Sequence, residues 1–334
     1  MHVEIARIVS EQKGSYHMVM GQDHLVGEVT GKLRHSALTR SDYPAVGDYV
    51  SVQRLDEQRA LIHAILPRKN TFSRKEAGQV VQEQIMATNV DTVFVFAALN
   101  QDYNVRKIER MLIFVWESNA MPVVLLSKAD LCDTIEQKIE EVRDIAIGVA
   151  VHAISAWHKE SLDVLQAYRG AGKTIALFGA SGVGKSTLTN LLVGNDSMKV
   201  NAVRESDARG KHTTTHREMI FLSDGTAIID MPGMREFQLL DHQEGIHFTF
   251  EDIEQLAVLC RFANCTHENE PDCAVLQAIE EGRLPSERWM NYRKMQKEVR
   301  FMERKISTHE RLQEKRQSKG KAKKVRMNLE DFEL

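Results

Sequence analysis

The sequence predicts a multidomain protein with a small β-barrel, a central α/β domain and an α-helical C-terminal region. Five short β segments fall in the first 75 residues, apolar strands alternate with helical stretches from about residue 82, and no strand pattern is evident after about residue 245. The chain therefore divides into four predicted segments, residues 1–75, 82–240, 245–312 and 313–334.

The composition is that of an ordinary soluble protein without a membrane partner. The chain has 334 residues, of which 43% are hydrophobic and 27% are charged, and its formal net charge is −3. The longest uncharged apolar run, Val93 to Leu99, is far too short to cross a bilayer. The first residues carry early acids and lack the apolar region of a signal peptide. We therefore expect a cytoplasmic protein.

The N-terminal segment has the pattern of short strands separated by turns. The strand candidates are VEIARIV, YHMVM, LVGEVTGKL, DYVSVQRL and ALIHAIL, with Gly, Asn, Asp or Ser near most joins. Five short strands in about 70 residues predict a barrel of the oligonucleotide-binding (OB) type. Periodicity alone does not separate an OB barrel from an SH3-like barrel. Lys and Arg slightly outnumber Asp and Glu here, and RNA is the ligand that we expect.

The central strand candidates are apolar almost throughout. TVFVFAA, PVVLLS, VAVHAIS, TIALFG and TAIIDM alternate with helical stretches such as CDTIEQKIEEVRDIA and KSTLTNLLVG. Because both faces of such strands must be buried, this segment predicts a parallel sheet with helices on both sides.

The stretch GASGVGKS, Gly179 to Ser186, lies between a strand candidate and a helical run. It matches the phosphate-loop pattern G-x-x-x-x-G-K-[ST] in the context that the pattern requires. Loop amides are predicted to face nucleotide phosphates, Lys185 to reach the β and γ oxygens, and Ser186 to bind Mg²⁺. The predicted phosphate-binding residues are Gly179, Ala180, Ser181, Gly182, Val183, Gly184, Lys185, Ser186 and Thr187.

Two further segments are predicted to complete the phosphate side of the site. In AIIDMPG, Asp230 ends an apolar strand and Gly233 follows three residues later, which gives the pattern D-x-x-G. The Asp230 carboxylate is expected near Mg²⁺ and the Gly233 amide near the γ-phosphate. The polar run RGKHTTTHRE offers Thr214 as a second hydroxyl for Mg²⁺, although a run of threonines is also typical of a plain polar turn.

The residues at the ends of two other strands predict guanine as the base. VVLLSKAD ends a buried strand with Ser127, Lys128 and Asp130, and AISA places Ser155 and Ala156 after another. A carboxylate at Asp130 can accept both the ring N–H and the exocyclic amine of guanine, whereas adenine has no such donor pair. The Lys128 stem is expected to lie over the base. Ser127 stands where these motifs usually have Asn, and its side chain is shorter with fewer donors.

The base-reading motifs precede the phosphate loop, whereas in most GTPases the phosphate loop comes first. A chain that is cut at a surface connection can still build the same sheet. The sequence therefore predicts a circularly permuted P-loop GTPase in which the D-x-x-G segment leads directly into the C-terminal region.

The group that activates water does not follow from these motifs. Met234 stands after D-x-x-G, where many GTPases use Gln, and a thioether cannot orient water. His212 is the catalytic candidate, and the alternatives are a group from a partner or simple positioning of the phosphates. Gly182 stands where potassium-assisted GTPases have Asn. We expect slow intrinsic hydrolysis that a partner accelerates.

CRFANCTHENEPDC contains the spacing C-x₄-C-x-H-x₅-C, formed by Cys260, Cys265, His267 and Cys273. Three thiolates and one imidazole suit one structural Zn²⁺ in tetrahedral coordination. The alternative is three buried free thiols with a surface His. Cys132 lies away from the cluster in a predicted helix and is expected to be a packed core residue.

The C-terminal part is strongly basic. Residues 287–326 hold fifteen Lys or Arg against five Glu, which is typical either of a surface that meets a polyanion or of a solvated helix face. The closing KRQSKGKAKKVR has no apolar face and is expected to be disordered until it binds a partner. An apolar stripe at helical spacing is expected to pack on the body, and it consists of Trp289, Tyr292, Val299, Met302 and Ile306.

Together these motifs resemble the circularly permuted, ribosome small-subunit-dependent GTPases, the RsgA/YjeQ/EngC family. The residues that carry the resemblance are SKAD, the SA of AISA, GASGVGKSTLTN, RGKHTTT, DMPGMREF and CRFANCTHENEPDCAV, and it covers nearly all of the chain. It implies an OB-fold barrel, a permuted GTPase and a C-terminal α-helical zinc-binding domain. It also implies docking on the small (30S) ribosomal subunit and its rRNA late in assembly, with hydrolysis of GTP to GDP stimulated by that particle. We expect a monomer.

Two other classes of function fit part of the sequence. One is an RNA-binding protein in which guanine nucleotide is only a structural or regulatory ligand. The other is a small-molecule kinase with the same phosphate loop, which SKAD with SA and the lack of an arginine-rich lid disfavour.

Overall fold

The computed structural model describes residues 3–12, 14–76, 82–195, 218–231, 243–301 and 304. The chain forms two compact units, Met1–Phe237 and Gln238–Leu334. The first unit contains the barrel and the central sheet, and the second contains the cysteine cluster. The tail predicted at 313–334 lies outside the described residues.

A closed barrel of five strands forms the N-terminal part, as the sequence predicts. The strands are β1 (Glu4–Gln12), β2 (Ser15–Met20), β3 (Asp23–Val29), β4 (Tyr49–Arg54) and β5 (Arg59–Ile65). They close in the order β1-β2-β3-β5-β4, with β3 parallel to β5 and the other pairs antiparallel. This is the OB architecture. Its largest fully buried interior side chains are Ile8, Tyr16, Met18, Leu25 and Ile62.

One predicted strand is too long. The strand expected over LVGEVTGKL ends at Val29, and helix α1 occupies Gly31–Ser36. The Thr30 Oγ1 accepts the amide N–H of Leu33 at 3.3 Å and so caps the helix. This side-chain cap gives the backbone an alternative to the strand ladder, and a pattern of apolar residues does not reveal it.

Two strands that the sequence analysis did not predict follow the barrel. β6 (Thr71–Glu76) and β7 (Gln82–Thr88) pair in antiparallel fashion. Their segments, TFSRKE and QEQIMAT, are too polar to show a clear strand alternation. The join between the predicted segments 1–75 and 82–240 lies inside this hairpin.

The central sheet has six strands in the order β10-β9-β8-β11-β13-β12. Five of them are parallel, as predicted, and the edge strand β12, which was not predicted, runs antiparallel to β13. The strands are β8 (Thr92–Ala98), β9 (Met121–Ser127), β10 (Ala150–Ala153), β11 (Thr174–Gly179), β12 (Met219–Phe221) and β13 (Ala227–Asp230).

Helices cover both faces of this sheet, and they include α2 (Val105–Glu117), α3 (Ile135–Arg143) and α4 (Lys185–Asn195). Side chains of β8 alternate between two cores. Val93 and Val95 belong to the core that contains α2 residues, whereas Phe94 and Phe96 belong to the core that contains α4 residues. Burial on both faces is the physical reason for the near-continuous apolar strands.

The helix predicted over CDTIEQKIEEVRDIA is shorter at both ends. α3 begins at Ile135, after the N-cap position Thr134, and it ends at Arg143. Cys132 therefore lies before the helix, at the end of the 3₁₀ turn Ala129–Leu131. It is partly buried and packs against the core, as expected for a structural thiol.

The second unit is helical over 243–301, and no strand occurs in that range. Its helices are α5 (Gln243–Thr249), α6 (Glu251–Val258), α7 (Ala274–Glu280) and α8, which covers 286–301. Trp289, Tyr292 and Val299 of the predicted stripe are buried on α8, while Met302 and Ile306 lie outside the described residues. Across the parts of the chain that the structure describes, none of the helices is both long and apolar enough to cross a membrane.

Arg288 connects α8 to the first two helices of this unit. Its guanidinium binds both carboxylate oxygens of Asp252 at 2.8 Å and the carbonyl of Thr249 at 2.9 Å. It also lies 4.9 Å from the centre of the Phe250 ring. The Arg288 charge is buried, and its guanidinium is paired with a carboxylate and a carbonyl. The Arg288–Asp252 ion pair therefore has a structural role.

Arg7 connects the barrel to the central sheet. It lies on β1, is 7% exposed, and donates from its Nη2 to the Oγ1 of Thr174 at 2.7 Å. Weaker bonds reach the carbonyls of Gly47 and Asn89, and the guanidinium lies 4.8 Å from the centre of the Tyr49 ring. Thr174 is the first residue of β11. The barrel is therefore fastened to the strand that leads into the phosphate loop.

We predict that Arg7→Ala lowers the free energy of unfolding of the first unit by about 2 kcal/mol, because it removes a charged hydrogen bond and leaves the buried Thr174 hydroxyl unsatisfied. Urea unfolding followed by circular dichroism measures the change. The control is Arg59→Ala, which removes an ion pair whose arginine side chain is 72% exposed and should cost less than about 0.5 kcal/mol. Equal losses in the two variants would contradict the role given to Arg7.

Candidate nucleotide site and metal centre

The predicted nucleotide motifs meet at one edge of the central sheet. Ser127 ends β9, Gly179 ends β11 and Asp230 ends β13, while Ser155 follows β10 by two residues. Because the strands are parallel, their carboxyl ends lie at the same edge, where α/β proteins bind ligands. Residues that are far apart in the chain therefore lie side by side.

The phosphate loop joins β11 to the amino end of α4. Gly179 lies so close to Phe96 that an added Cβ would be 2.9 Å from the Phe96 Cβ and carbonyl oxygen. Gly184 has a φ of 103°, a conformation that favours glycine. Both glycines are thus required by the course of the loop. The exposed residues along it are Ala180, Ser181, Gly182, Ser186 and Thr187, and Val183 is buried.

Lys185 and Asp230 form the charged floor of this loop. The Lys185 Nζ donates to the carbonyls of Gly179 and Ala180 at 2.9 and 3.0 Å. Burial lowers the pKa of Lys185 and raises the pKa of Asp230, and the charge of each partner opposes the other's shift. The Asp230 Oδ1 is buried without a hydrogen-bond partner among the described residues. Such an oxygen fits a ligand position for a divalent cation.

Asp130 is held by Ser155 from the neighbouring strand end. The Ser155 Oγ donates to the Asp130 Oδ1 at 2.5 Å and accepts the amide N–H of Trp157 at 3.1 Å. Lys128 adopts a left-handed conformation with a φ of 59°, which turns the chain sharply after β9. The two predicted base-reading segments therefore form one structural unit, with Ala156 exposed beside it.

Ser127 joins this unit to the phosphate loop. It is 5% exposed, and its Oγ donates to the carbonyl of Val183 at 2.6 Å across 56 residues of sequence. The Ser127 hydroxyl, although shorter than the usual Asn side chain, therefore links the base segment to the phosphate loop.

A cavity of about 400 Å³ lies where the two segments meet. Seven predicted site residues line it: Ser127, Lys128, Asp130, Ala156, Val183, Gly184 and Thr187. Sequence reasoning missed the apolar residues Phe96, Leu131, Ile154, Trp157, Leu162, Leu188 and Leu191, which complete the lining. Of these, Trp157 carries a sequence signal, since it directly follows the SA pair.

Three predicted site residues lie outside the described residues. They are His212, Thr214 and Gly233, together with the neighbouring Met234. The second Mg²⁺ hydroxyl, the γ-phosphate amide and the water-activating group therefore stay predictions.

The second unit gathers the four predicted metal ligands. The ligand atoms of Cys260, Cys265, His267 and Cys273 all lie within 4.8 Å of one another. The Cys260 and Cys273 sulfurs are 3.8 Å apart, and the His267 Nδ1 lies 3.4 and 3.3 Å from them. Two sulfurs bound at about 2.3 Å in tetrahedral geometry are separated by about 3.8 Å. The cluster can therefore hold a metal ion.

The surroundings of the cluster act in opposite directions on two of its thiols and fix the ligand loop. Desolvation raises the pKa of Cys265 to about 11, which favours the protonated thiol there. Burial raises the pKa of Cys260, but amide N–H groups of Val275 and Ala274 at the start of α7 outweigh it and leave that pKa below its ordinary value. Glu270 accepts the amides of Thr266 and Glu268 at 2.8 and 2.9 Å, so the turn around His267 is braced.

Comparison with known proteins finds similarity to one family of GTPases. The family model described as RsgA GTPase matches residues 65–240. A protein of Lactiplantibacillus plantarum, small ribosomal subunit biogenesis GTPase RsgA 2, is 41% identical over 89% of this chain and 84% of its own length. RsgA 1 of Oceanobacillus iheyensis, with the same description, is 42% identical over 92% of this chain and 89% of its own length.

Solved structures share the architecture. YloQ, described as a circularly permuted GTPase, has a TM-score of 0.64 and 27% identity over 90% of this chain and 96% of that chain. YjeQ from Thermotoga maritima, with a TM-score of 0.66 and 24% identity over 88% and 97%, shares the fold. An ABC transporter model also matches residues 162–329. That range holds the phosphate loop, which both classes of protein use, but not the base segments at 127–156.

We predict that Ser127→Ala raises the dissociation constant for GDP about tenfold, because the base segment loses its bond to the phosphate loop. Isothermal titration calorimetry measures the constant. Ser118→Ala is a matched control, since the Ser118 hydroxyl is buried to a similar degree and donates to the Val115 carbonyl at the same 2.6 Å, at the end of α2. The link has no role in binding if both variants bind GDP equally well.

Proposed function

The chain belongs to the RsgA GTPase family, and from that premise we propose that it binds GTP at the carboxyl edge of its central sheet and hydrolyses it during late assembly of the small ribosomal subunit. One observation carries the nucleotide site. A single cavity is lined both by Asp130 of the base segment and by Gly184 and Thr187 of the phosphate loop.

The base end of the cavity supports guanine over adenine. The Asp130 carboxylate is partly exposed toward the cavity and is oriented by the Ser155 hydroxyl at 2.5 Å. It can accept the ring N–H and the exocyclic amine of guanine together. Adenine lacks that pair of donors, so the carboxylate would lose its hydration without replacement. Ala156 directly follows Ser155 in the sequence, and its amide backs the base in this proposal.

The phosphate end supplies fixed donors and a cation site. Loop amides from Gly179 to Thr187 and the amino end of α4 bind the phosphates in this proposal, and Lys185 shifts from its loop carbonyls to the β and γ oxygens. Ser186, Asp230 and Thr214 are the residues that would hold Mg²⁺. When bound, Mg²⁺ neutralises charge on the phosphates. The Asp230 Oδ1, which has no hydrogen-bond partner in the part of the chain that the structure describes, supports this assignment.

We propose that hydrolysis by the protein alone is slow. Met234 cannot orient water, and His212 is the side chain in the chain's own sequence that we assign to that task. A partner that contributes or positions the groups around the phosphates would accelerate the reaction, since transition-state groups act only when positioned.

The partner that we propose is the small ribosomal subunit with its rRNA. The names of the relatives support it, and so do three features of this chain: an OB barrel, a helical unit with four potential metal ligands and the basic residues 287–326. The protein acts as a monomer in this proposal. A role on the small subunit also implies a cytoplasmic location.

We predict that isolated small subunits stimulate GTP hydrolysis at least about tenfold, and that the stimulation falls steeply as salt rises, because contacts to phosphates release counterions. Phosphate release from GTP and from ATP, with and without subunits, measures both effects. Turnover of several GTP per second by the protein alone, or equal rates with ATP, would contradict the proposal.

Asp130→Asn tests the base assignment within the same assay. An amide offers one donor and one acceptor, so GTP turnover should fall while xanthosine triphosphate, which has a carbonyl in place of the amine, gains. Asp133→Asn is the matched control, because it removes the same charge at an exposed position three residues away. Asp130 does not read the base if the two variants share one nucleotide preference.

We propose that the cysteine cluster holds one structural Zn²⁺, since three thiolates and one imidazole in a closed tetrahedral arrangement suit that ion. Elemental analysis of dialysed protein should find about one equivalent of zinc, and Cys260→Ser should lose it and unfold at lower temperature. Cys132→Ser, which changes the thiol outside the cluster, should retain the metal. Less than about half an equivalent, or iron in its place, would refute this assignment.

A further inference from the structure

Trp157 is a large apolar side chain at the mouth of the nucleotide cavity. Its side chain is 83% exposed, although it lines the same cavity as Lys128 and Asp130. An indole of this size buries 150–250 Å² when it is covered, so its exposure beside a concave site is costly unless a ligand covers it. Leu131, which also lines the cavity, is 66% exposed.

The backbone fixes Trp157 relative to the base-reading carboxylate. The Trp157 amide N–H donates to the Ser155 Oγ at 3.1 Å, and the same hydroxyl donates to Asp130 at 2.5 Å. One serine therefore sets the position of both residues. The Trp157 backbone and the Asp130 carboxylate are thus held by the same hydroxyl, and a base that reaches Asp130 also lies within the cavity that Trp157 borders.

We propose that Trp157 stacks on the guanine base and covers it on the solvent side, opposite the Lys128 stem. This inference rests on the proposed guanine site at Asp130. An aromatic face attracts any base, because every base has a π-face. Trp157 therefore supplies affinity and slows nucleotide release, whereas Asp130 supplies the choice between guanine and adenine.

The binding test uses the full-length protein and GDP. Trp157→Ala should raise the dissociation constant for GDP about 5- to 150-fold, the range of one base–aromatic stacking contact, and Trp157→Phe should stay within about threefold of the parent protein. The preference for GDP over ADP should remain unchanged in both variants. The control is Leu38→Ala, which shortens an apolar residue that is 92% exposed and lies between α1 and β4. This variant should bind GDP like the parent protein.

Indole fluorescence gives a readout that a purely structural role would not move. The chain has three Trp, and of these Trp157 is the one among the residues that line the cavity. GDP should change the emission of the parent protein, and the change should vanish in Trp157→Phe even though that variant still binds GDP.

The outcomes separate this inference from the guanine site itself. If the parent protein prefers GDP over ADP but Trp157→Ala binds GDP equally well, the stacking role is overturned and the site stands. A fluorescence change that persists in Trp157→Phe also overturns it. If the parent protein binds GDP and ADP alike, the guanine assignment at Asp130 fails first.

Discussion

The hydrogen bond from the Ser127 hydroxyl to the Val183 carbonyl is the constraint on which the nucleotide site depends. It joins the turn that carries Asp130 to the loop that carries Lys185. Ser155 holds Asp130 in the turn, and carbonyls of the phosphate loop hold Lys185. Without this bond the two halves would be positioned only by their strands. With it, the distance between base and phosphate recognition is fixed by a buried hydrogen bond from a side chain to a backbone carbonyl.

The parallel sheet explains why the site can form although its motifs occur in permuted order along the chain. Each strand of the parallel set delivers its last residues to the same edge, whatever its place in the chain. The two cores on either side of β8 keep those edges in register. Permutation changes the order of the parts along the chain. In sequence, the barrel precedes the base segment, and the helical unit follows the strand that ends at Asp230.

The sequence was most informative where burial and chemistry leave strong patterns. Apolar runs predicted β8, β9 and β11 because these strands are covered on both faces, and cysteine spacing predicted four ligands that come together. The hairpin β6–β7 was missed because its residues are polar, and α1 was missed because a single Thr30 cap determines it. The exposure of Trp157 could not be predicted either, since it depends on how a turn projects from the folded sheet.

The guanidinium of Arg7 makes the barrel and the central sheet of this protein depend on each other. Barrel and sheet are separate folds, yet a side chain from one completes the hydrogen bonding of the other at Thr174. A foreign barrel spliced onto this sheet would bring no matching cation unless it also carried an arginine at that register. In this chain the barrel and the sheet are therefore matched to each other at this contact, and an exchange of either part would have to preserve it.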